Sequence, residues 1–160
     1  MDRTYCYGRL DVALADTFDA DADSAMANVP RVNQIVSSPL TRARALAERI
    51  ASARNIVVHV DERLSEMDFA AWEGRLWSEI PREALDAWAA DFLDARPHGG
   101  ESVRAFQQRC LAAVTEWSAY AGDTLIVCHA GVVRAVFAQG IEAGDFDRSI
   151  GYGELVHWHP

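Results

Sequence analysis

Two basic side chains follow predicted strands and are placed to bind one anion together. His129 follows the apolar run 125–127 after one intervening residue, Cys128, and precedes a second apolar run, 132–137, that has the composition of a helix. Arg42 follows the strand predicted at 33–37, in the first turn of the next helix. The carboxyl ends of parallel strands meet at one edge of a sheet, where α/β proteins bind ligands. Helix N-termini at that edge favour negative charge, so the sequence predicts a phosphate pocket shared by Arg42 and His129.

The rest of the chain alternates between strand and helix patterns. Ser38 and Pro39 are typical of a helix N-cap and first helical position, and apolar residues at helical spacing continue that helix to Asn55. Similar stripes predict helices near 84–92 and 103–117. The predicted strands are 33–37, 56–60, 125–127 and 154–158. This alternation predicts an α/β fold, with three α/β/α layers around a mostly parallel sheet, in a single domain over residues 1–160.

The composition limits the function. The 160 residues include 15 basic and 24 acidic side chains, for a formal charge of −9. Nucleic acids and anionic membranes need a basic surface, so neither is expected as a partner, whereas a local pocket can still bind a small anion. No apolar run is long enough to span a bilayer and the first residues lack a signal-peptide pattern.

Cysteine and histidine usage predicts an enzyme without a metal or cofactor. Cys6, Cys110 and Cys128 have no metal-type spacing, which favours a reduced, cytoplasmic protein. His157 and His159 would share one face of the last predicted strand, but the sequence points to no further ligands beside them.

Glu66 is a candidate general acid. It lies among aromatic and apolar residues in the segment 63–74, and desolvation of a carboxyl group there would raise its pKa. A loop glutamate hydrogen-bonded to backbone is the alternative interpretation. Asp68 and Glu73 in the same segment are equally eligible.

Four segments, in order, resemble motifs of the histidine phosphatase superfamily, the phosphoglycerate-mutase-like enzymes. They are Ser-Ser-Pro-Leu-Thr-Arg-Ala at 37–43, Leu-Ser-Glu at 64–66 with Trp-Glu-Gly at 72–74, Gly-Gly-Glu-Ser at 99–102, and Cys-His-Ala-Gly-Val-Val-Arg at 128–134. Residues 6–12 are similar to the turn after the first motif of the alpha-ribazole phosphatase branch. The resemblance implies a phosphoglycerate-mutase-like fold.

The resemblance also implies a reaction, phosphoryl transfer through a phosphohistidine. It makes Arg42 a phosphate-binding arginine, Glu66 the proton donor and His129 the second, phosphate-binding histidine. The expected partner is a small phosphomonoester, alpha-ribazole 5'-phosphate being favoured, and no metal is required. The expected pocket rim contains Arg9, Tyr7 and Gly8. The oligomeric state is open, with a homodimer as one hypothesis.

The first family motif has no counterpart in this chain. The family begins with an apolar strand ending in Arg-His-Gly, which supplies the nucleophile, and nothing before Cys6 has that pattern. The fold is therefore expected to lack the usual first strand and to leave a sheet edge unpaired. Three explanations stay open: an N-terminally shortened phosphatase that is slow or inert as given, a pseudoenzyme that binds phosphorylated ligands, or a cysteine-dependent phosphatase. The last would use Cys128 and Arg134, which have Cys-x5-Arg spacing.

Overall fold

A three-stranded parallel sheet forms the centre of the computed structural model, which describes residues 4–159. The strands are β1 (Gln34–Ser37), β2 (Val58–Val60) and β3 (Thr124–Val127). β1 is the middle strand, and Ser37 at its end is paired with Val60 on one side and Val127 on the other. All three strands therefore end at the same edge of the sheet, as the sequence predicts.

Helices cover both faces of this sheet. They are α1 (Phe18–Asn28), α2 (Thr41–Arg54), α3 (Arg82–Ala90), α4 (Val103–Ser118) and α5 (Ala130–Phe137). Successive strand side chains point to opposite faces, so Ile35 and Leu125 pack with α2 while Val36 and Ile126 pack with α4 and α5. The predicted α/β/α layering is confirmed. No helix within residues 4–159 is both long and apolar enough to cross a bilayer.

The start of α2 differs from the prediction. The helix begins at Thr41, so Ser38 and Pro39 lie before it rather than at its N-cap and first position. The Asp11 carboxylate instead accepts hydrogen bonds from the backbone N–H and the hydroxyl of Thr41, at 2.9 and 2.7 Å. A loop distant in sequence thus supplies the capping acceptor, which frees Ser38 for another contact.

The strand predicted at 154–158 is wrong. Within residues 4–159 this segment pairs with no strand, and its apolar residues divide between the two cores, Leu155 on the α2 side and Trp158 on the α4 and α5 side. Alternating hydrophobicity predicts a strand only where a neighbouring edge lies within hydrogen-bonding distance.

The second edge of β3 has no strand partner within residues 4–159, in line with the predicted loss of the first strand. A cavity of about 1780 Å³ runs along this edge and is lined by all four residues of β3. We refer to the part of this cavity beside β3 as the β3 groove.

The segment before α1 contains no strand in its described part, as predicted, and Met1 to Arg3 lie outside the described residues. It lies antiparallel beside residues 74–77: the Cys6 N–H donates to the Arg75 carbonyl at 2.9 Å, and the Gly74 N–H donates to the Cys6 carbonyl at 2.7 Å. This pairing places residues 7–11 against the N-terminal turn of α2.

Candidate active site

The ends of β1 and β3 bring Ser38 and His129 into contact. The Ser38 N–H donates to the Val127 carbonyl at 3.0 Å, which continues the strand pairing one residue past β1. The Nε2 atom of His129 lies 2.7 Å from the Ser38 hydroxyl, and both residues are buried. The two strand ends that the sequence analysis singled out therefore meet.

Arg42 lies in the first turn of α2 and lines the same cavity as His129. Its Nη1 donates to the Leu10 carbonyl at 2.9 Å and its Nη2 to the Gly8 carbonyl at 2.7 Å. Its other N–H groups have no acceptor within residues 4–159. The guanidinium is thus held in place with donors remaining for an anion.

His129 is held in its neutral form. Burial lowers the pKa of His129 to about 3, and the positive charges of Arg42 and Arg109 act in the same direction. A neutral imidazole can offer one ring N–H to a ligand without adding a charge to the pocket.

The Glu66 carboxylate lies at the N-terminus of α5. Its Oε2 accepts from the Gly131 N–H at 3.1 Å and its Oε1 from the Met67 N–H at 3.0 Å. Burial raises the pKa of Glu66, against the opposing effect of these hydrogen bonds and of the Arg42 and Arg134 charges. A carboxyl group with a raised pKa can hold a proton for a leaving group. The side chain lines the cavity shared by Arg42 and His129.

The other two carboxylates of this segment, like Glu66, accept hydrogen bonds from backbone N–H groups, but neither of them lines the cavity. Asp68 accepts from the Ala70 N–H at 2.9 Å. Glu73 accepts from the N–H groups of Phe69 and Arg9 through one oxygen, at 3.0 and 2.7 Å. Glu73 thereby fixes the loop that contains Glu66 to the N-terminal loop.

The predicted rim residues lie beside this cluster. Gly8 has a φ of +50°, and a Cβ there would lie 2.1 Å from the Glu73 Oε1, so only glycine fits. The exposed Arg9 brings its Nε within 3.4 Å of the Glu66 carbonyl. Tyr7 lines the cavity together with Arg42. Their contribution to substrate binding stays a prediction.

The geometry argues against a cysteine nucleophile. Cys128 packs against the core between α4 and α5, and burial raises its pKa to about 12, where a reactive thiolate needs the opposite shift. Arg134 lies in the last turn of α5 and donates to the Arg148 carbonyl at 2.8 Å. The raised pKa of Cys128 and the use of the Arg134 Nε by a backbone carbonyl both disfavour a thiolate nucleophile here.

The sequence analysis missed Arg109 and the role of Glu101. Arg109 lies on α4, one residue before Cys110, which belongs to the apolar stripe of that helix. Its neighbours in the sequence are those of a surface arginine. It forms a two-point ion pair with Glu101, at 2.7 and 2.8 Å, directly behind the Glu66 loop. Glu101 belongs to the Gly-Gly-Glu-Ser motif, whose resemblance suggested a substrate-side loop.

The other histidines lie in different surroundings. His59 packs against Trp117 with ring centres 5.4 Å apart, and His98 is buried against Phe69, Trp72 and Trp88. The exposed His157 and His159 belong to the extended C-terminal segment. In the part of the chain that the structure describes, no group of three or more His, Cys, Asp or Glu side chains is arranged to bind a metal ion.

Sequence comparison gives one family match over nearly the whole chain. The sequence profile of the histidine phosphatase superfamily (branch 1) matches residues 2–152. The chain is 31% identical over 131 residues to the adenosylcobalamin/alpha-ribazole phosphatase of Escherichia coli K12, an alignment that covers 78% of this chain and 60% of that protein. It is 33% identical over 147 residues to the glucosyl-3-phosphoglycerate phosphatase of Mycobacterium tuberculosis H37Rv, covering 82% and 65%. The chain therefore spans less than two thirds of the length of these relatives.

Solved structures give the same result. The alpha-ribazole phosphatase from Shigella flexneri superposes with a TM-score of 0.77 at 26% identity, covering 93% of this chain and 79% of that one. A complex of the mycobacterial glucosyl-3-phosphoglycerate phosphatase with inorganic phosphate superposes with a TM-score of 0.73 at 26% identity, covering 88% and 76%.

Proposed function

The chain belongs to the histidine phosphatase superfamily (branch 1), and we propose that it hydrolyses small phosphomonoesters whose phosphate binds between Arg42 and His129. The observation that carries this proposal is that these two side chains and Glu66 all line one cavity at the ends of β1 and β3. Arg42 has N–H donors without an acceptor within residues 4–159, and His129 is neutral. A dianionic phosphate bound here would therefore accept hydrogen bonds from both side chains and be paired with one positive charge, that of Arg42.

Glu66 is the proton donor in this proposal. In the family's reaction a histidine nitrogen bonds to phosphorus as the phosphorus–oxygen ester bond breaks. Negative charge then develops on the leaving alcohol oxygen, and the Glu66 carboxyl protonates it. Arg42 and His129 stabilise the charge spread over the other phosphoryl oxygens. A water molecule then attacks phosphorus, breaks the phosphorus–nitrogen bond and releases inorganic phosphate, with its proton returning to Glu66.

The nucleophile implied by the family is a histidine at the end of an apolar strand. The β3 groove and the pocket belong to the same cavity, so a strand in that groove could present its end to the phosphate. Cys6 is preceded by no such strand in the sequence, and the 160-residue polypeptide alone is therefore expected to be slow or inert.

Alpha-ribazole 5'-phosphate is the favoured substrate. The relatives from E. coli and S. flexneri named above support this assignment. Tyr7, Phe69 and Trp77 line the same cavity as Glu66 and offer aromatic surface to a flat alcohol group. The mycobacterial relative makes glucosyl-3-phosphoglycerate the matched comparison substrate.

Binding of inorganic phosphate, measured by titration calorimetry, tests the pocket. Arg42→Ala and His129→Ala should each weaken binding about tenfold or more, because each removes a hydrogen bond to a charged ligand. Arg44→Ala is the control, since Arg44 lies on α2 but pairs with Glu48 at the surface. Unchanged affinity in both pocket variants would remove the proposed site.

Turnover distinguishes the three explanations for the missing motif. Fusing an apolar strand that ends in Arg-His-Gly ahead of Cys6 should produce phosphomonoester hydrolysis, which Glu66→Gln should then lower. If the unextended chain already turns over and Cys128→Ser abolishes that activity, the cysteine mechanism is correct. If phosphate binds but no extension produces turnover, the chain is a binding pseudoenzyme.

A further inference from the structure

The guanidinium of Arg109 makes an unusually complete set of contacts behind the Glu66 loop. Two of its N–H groups pair with the two carboxylate oxygens of Glu101. Nη1 donates to the carbonyls of Arg63 and Ser65 at 2.6 and 2.8 Å, and Nη2 donates to the carbonyl of Glu66 at 3.0 Å. A guanidinium has five N–H groups in a fixed plane, so all five are accounted for.

This cluster is well shielded from solvent. The Arg109 and Glu101 side chains are 16% and 14% exposed, so their ion pair is screened far less than a surface pair. The backbone N–H of Glu101 also donates to the Asp68 carbonyl at 3.0 Å. This hydrogen bond is a second link between the residues before α4 and the loop that contains Glu66. Arg109 itself is absent from the residues that line the cavity, so it acts on the pocket from behind.

Arg109 holds the main-chain end of Glu66, whose carbonyl also accepts from the Arg9 Nε at 3.4 Å. At the side-chain end, Oε2 meets the Gly131 N–H of α5 and Oε1 meets the Met67 N–H. We propose that Arg109, oriented by Glu101, is a positioning residue that fixes residues 63–66 and so keeps the Glu66 carboxylate at the N-terminus of α5. The chemical importance of that position rests on the phosphatase function proposed above.

Lysine cannot replace Arg109 in this role. Its ammonium keeps the charge but has three donors and no planar fork, so Arg109→Lys should retain the ion pair with Glu101 and release some of the carbonyls. Arg104→Lys is a matched control on the same helix: Arg104 makes an equivalent two-point pair, with Asp94, at 2.8 Å for both contacts, but touches no part of the Glu66 loop.

The test uses two NMR measurements on the 160-residue chain without any ligand. In Arg109→Lys the Gly131 amide should exchange with solvent about tenfold or more faster than in wild type, because Glu66 no longer holds it steadily. The titration of the Glu66 carboxyl carbon should move down towards the ordinary range of a glutamate as the side chain becomes hydrated. Both quantities should be unchanged in Arg104→Lys. A residue that only stabilises the fold would lower the melting temperature without moving the Glu66 titration.

Glu101→Gln keeps the test decisive if Arg109→Lys does not fold. It retains an acceptor for Arg109 but removes the charge that orients the guanidinium, so it should shift the same two quantities in the same direction by a smaller factor. Wild-type values in every folded variant would overturn the proposal. If the amide and the titration respond as expected while wild type fails to bind phosphate, the positioning role stands and the phosphatase function falls.

Discussion

Replacing Gly131 with alanine should displace the Glu66 carboxylate from the N-terminus of α5. A Cβ at residue 131 would lie 2.0 Å from the Oε1 and 2.8 Å from the Cδ of Glu66, whereas real Cβ atoms essentially never approach another heavy atom within 3.0 Å. The carboxylate must therefore move by at least about 1 Å. This movement breaks the 3.1 Å hydrogen bond from the Gly131 N–H.

The energetic cost follows from two opposing effects. When Glu66 is ionised, a hydrogen bond to its charged carboxylate contributes roughly 1.5–3 kcal/mol. Alanine is a better helix former than glycine by up to about 1 kcal/mol, which offsets part of that loss. The net loss in the free energy of unfolding should be about 1–2 kcal/mol, or a decrease in melting temperature of roughly 2–8 °C for a chain of this length.

Thermal unfolding of four variants measures this effect. Gly144→Ala is the control, because a Cβ there meets no atom within 4 Å, and its stability should stay within about 0.5 kcal/mol of wild type. In Glu66→Ala the space beside residue 131 is empty, so adding Gly131→Ala to that background should cost nothing or stabilise. An equal loss of stability with and without Glu66 would refute the steric argument.

Three further outcomes are expected. Cys128 should resist iodoacetamide at pH 8 in the folded protein, because its pKa is raised to about 12; rapid alkylation seen by mass spectrometry would contradict this. Folding lowers the pKa of His129 from 6.5 to about 3. As pH falls from about 6.5 towards 3, the imidazole therefore takes up a proton in the unfolded chain but not in the folded one, and the free energy of unfolding should decrease. Denaturant titrations of His129→Gln should show a shallower decrease, and an identical slope would disprove the assignment. Asp11→Ala should cost about 1 kcal/mol because it removes the acceptors for Thr41, whereas a neutral calorimetric result would show that this cap contributes nothing.

The sequence alone predicted the strands and helices that position Arg42 and His129. Each lies where an apolar strand gives way to a helix, a local pattern that hydrophobic periodicity and small residues determine. The end of α2 at Asn55 was equally predictable, because Asn55 adopts the left-handed conformation that asparagine tolerates at a helix end. Since all three strands are parallel, the proximity of their ends followed directly.

The start of α2 and the segment 154–158 could not be read from local sequence. The capping acceptor of Thr41 comes from Asp11, which lies 30 residues away in the chain. The C-terminal segment has the alternation of a strand, yet pairing depends on a free edge within reach. Both outcomes are set by long-range packing, which a window of neighbouring residues does not contain.

Local sequence alone predicted which residue types can bind a phosphate, because a side chain's charge and hydrogen-bonding groups are properties of the residue itself. Apart from the family resemblance, only the tertiary structure separated Glu66 from Asp68 and Glu73, since Glu66 alone of the three lines the cavity and contacts the N-terminus of α5. It also revealed Arg109, whose backbone carbonyl acceptors lie 43 to 46 residues away in the chain. Hydrogen bonds over such separations form only when packing brings the segments together, and this is why the support behind Glu66 was invisible until α4 was placed against its loop.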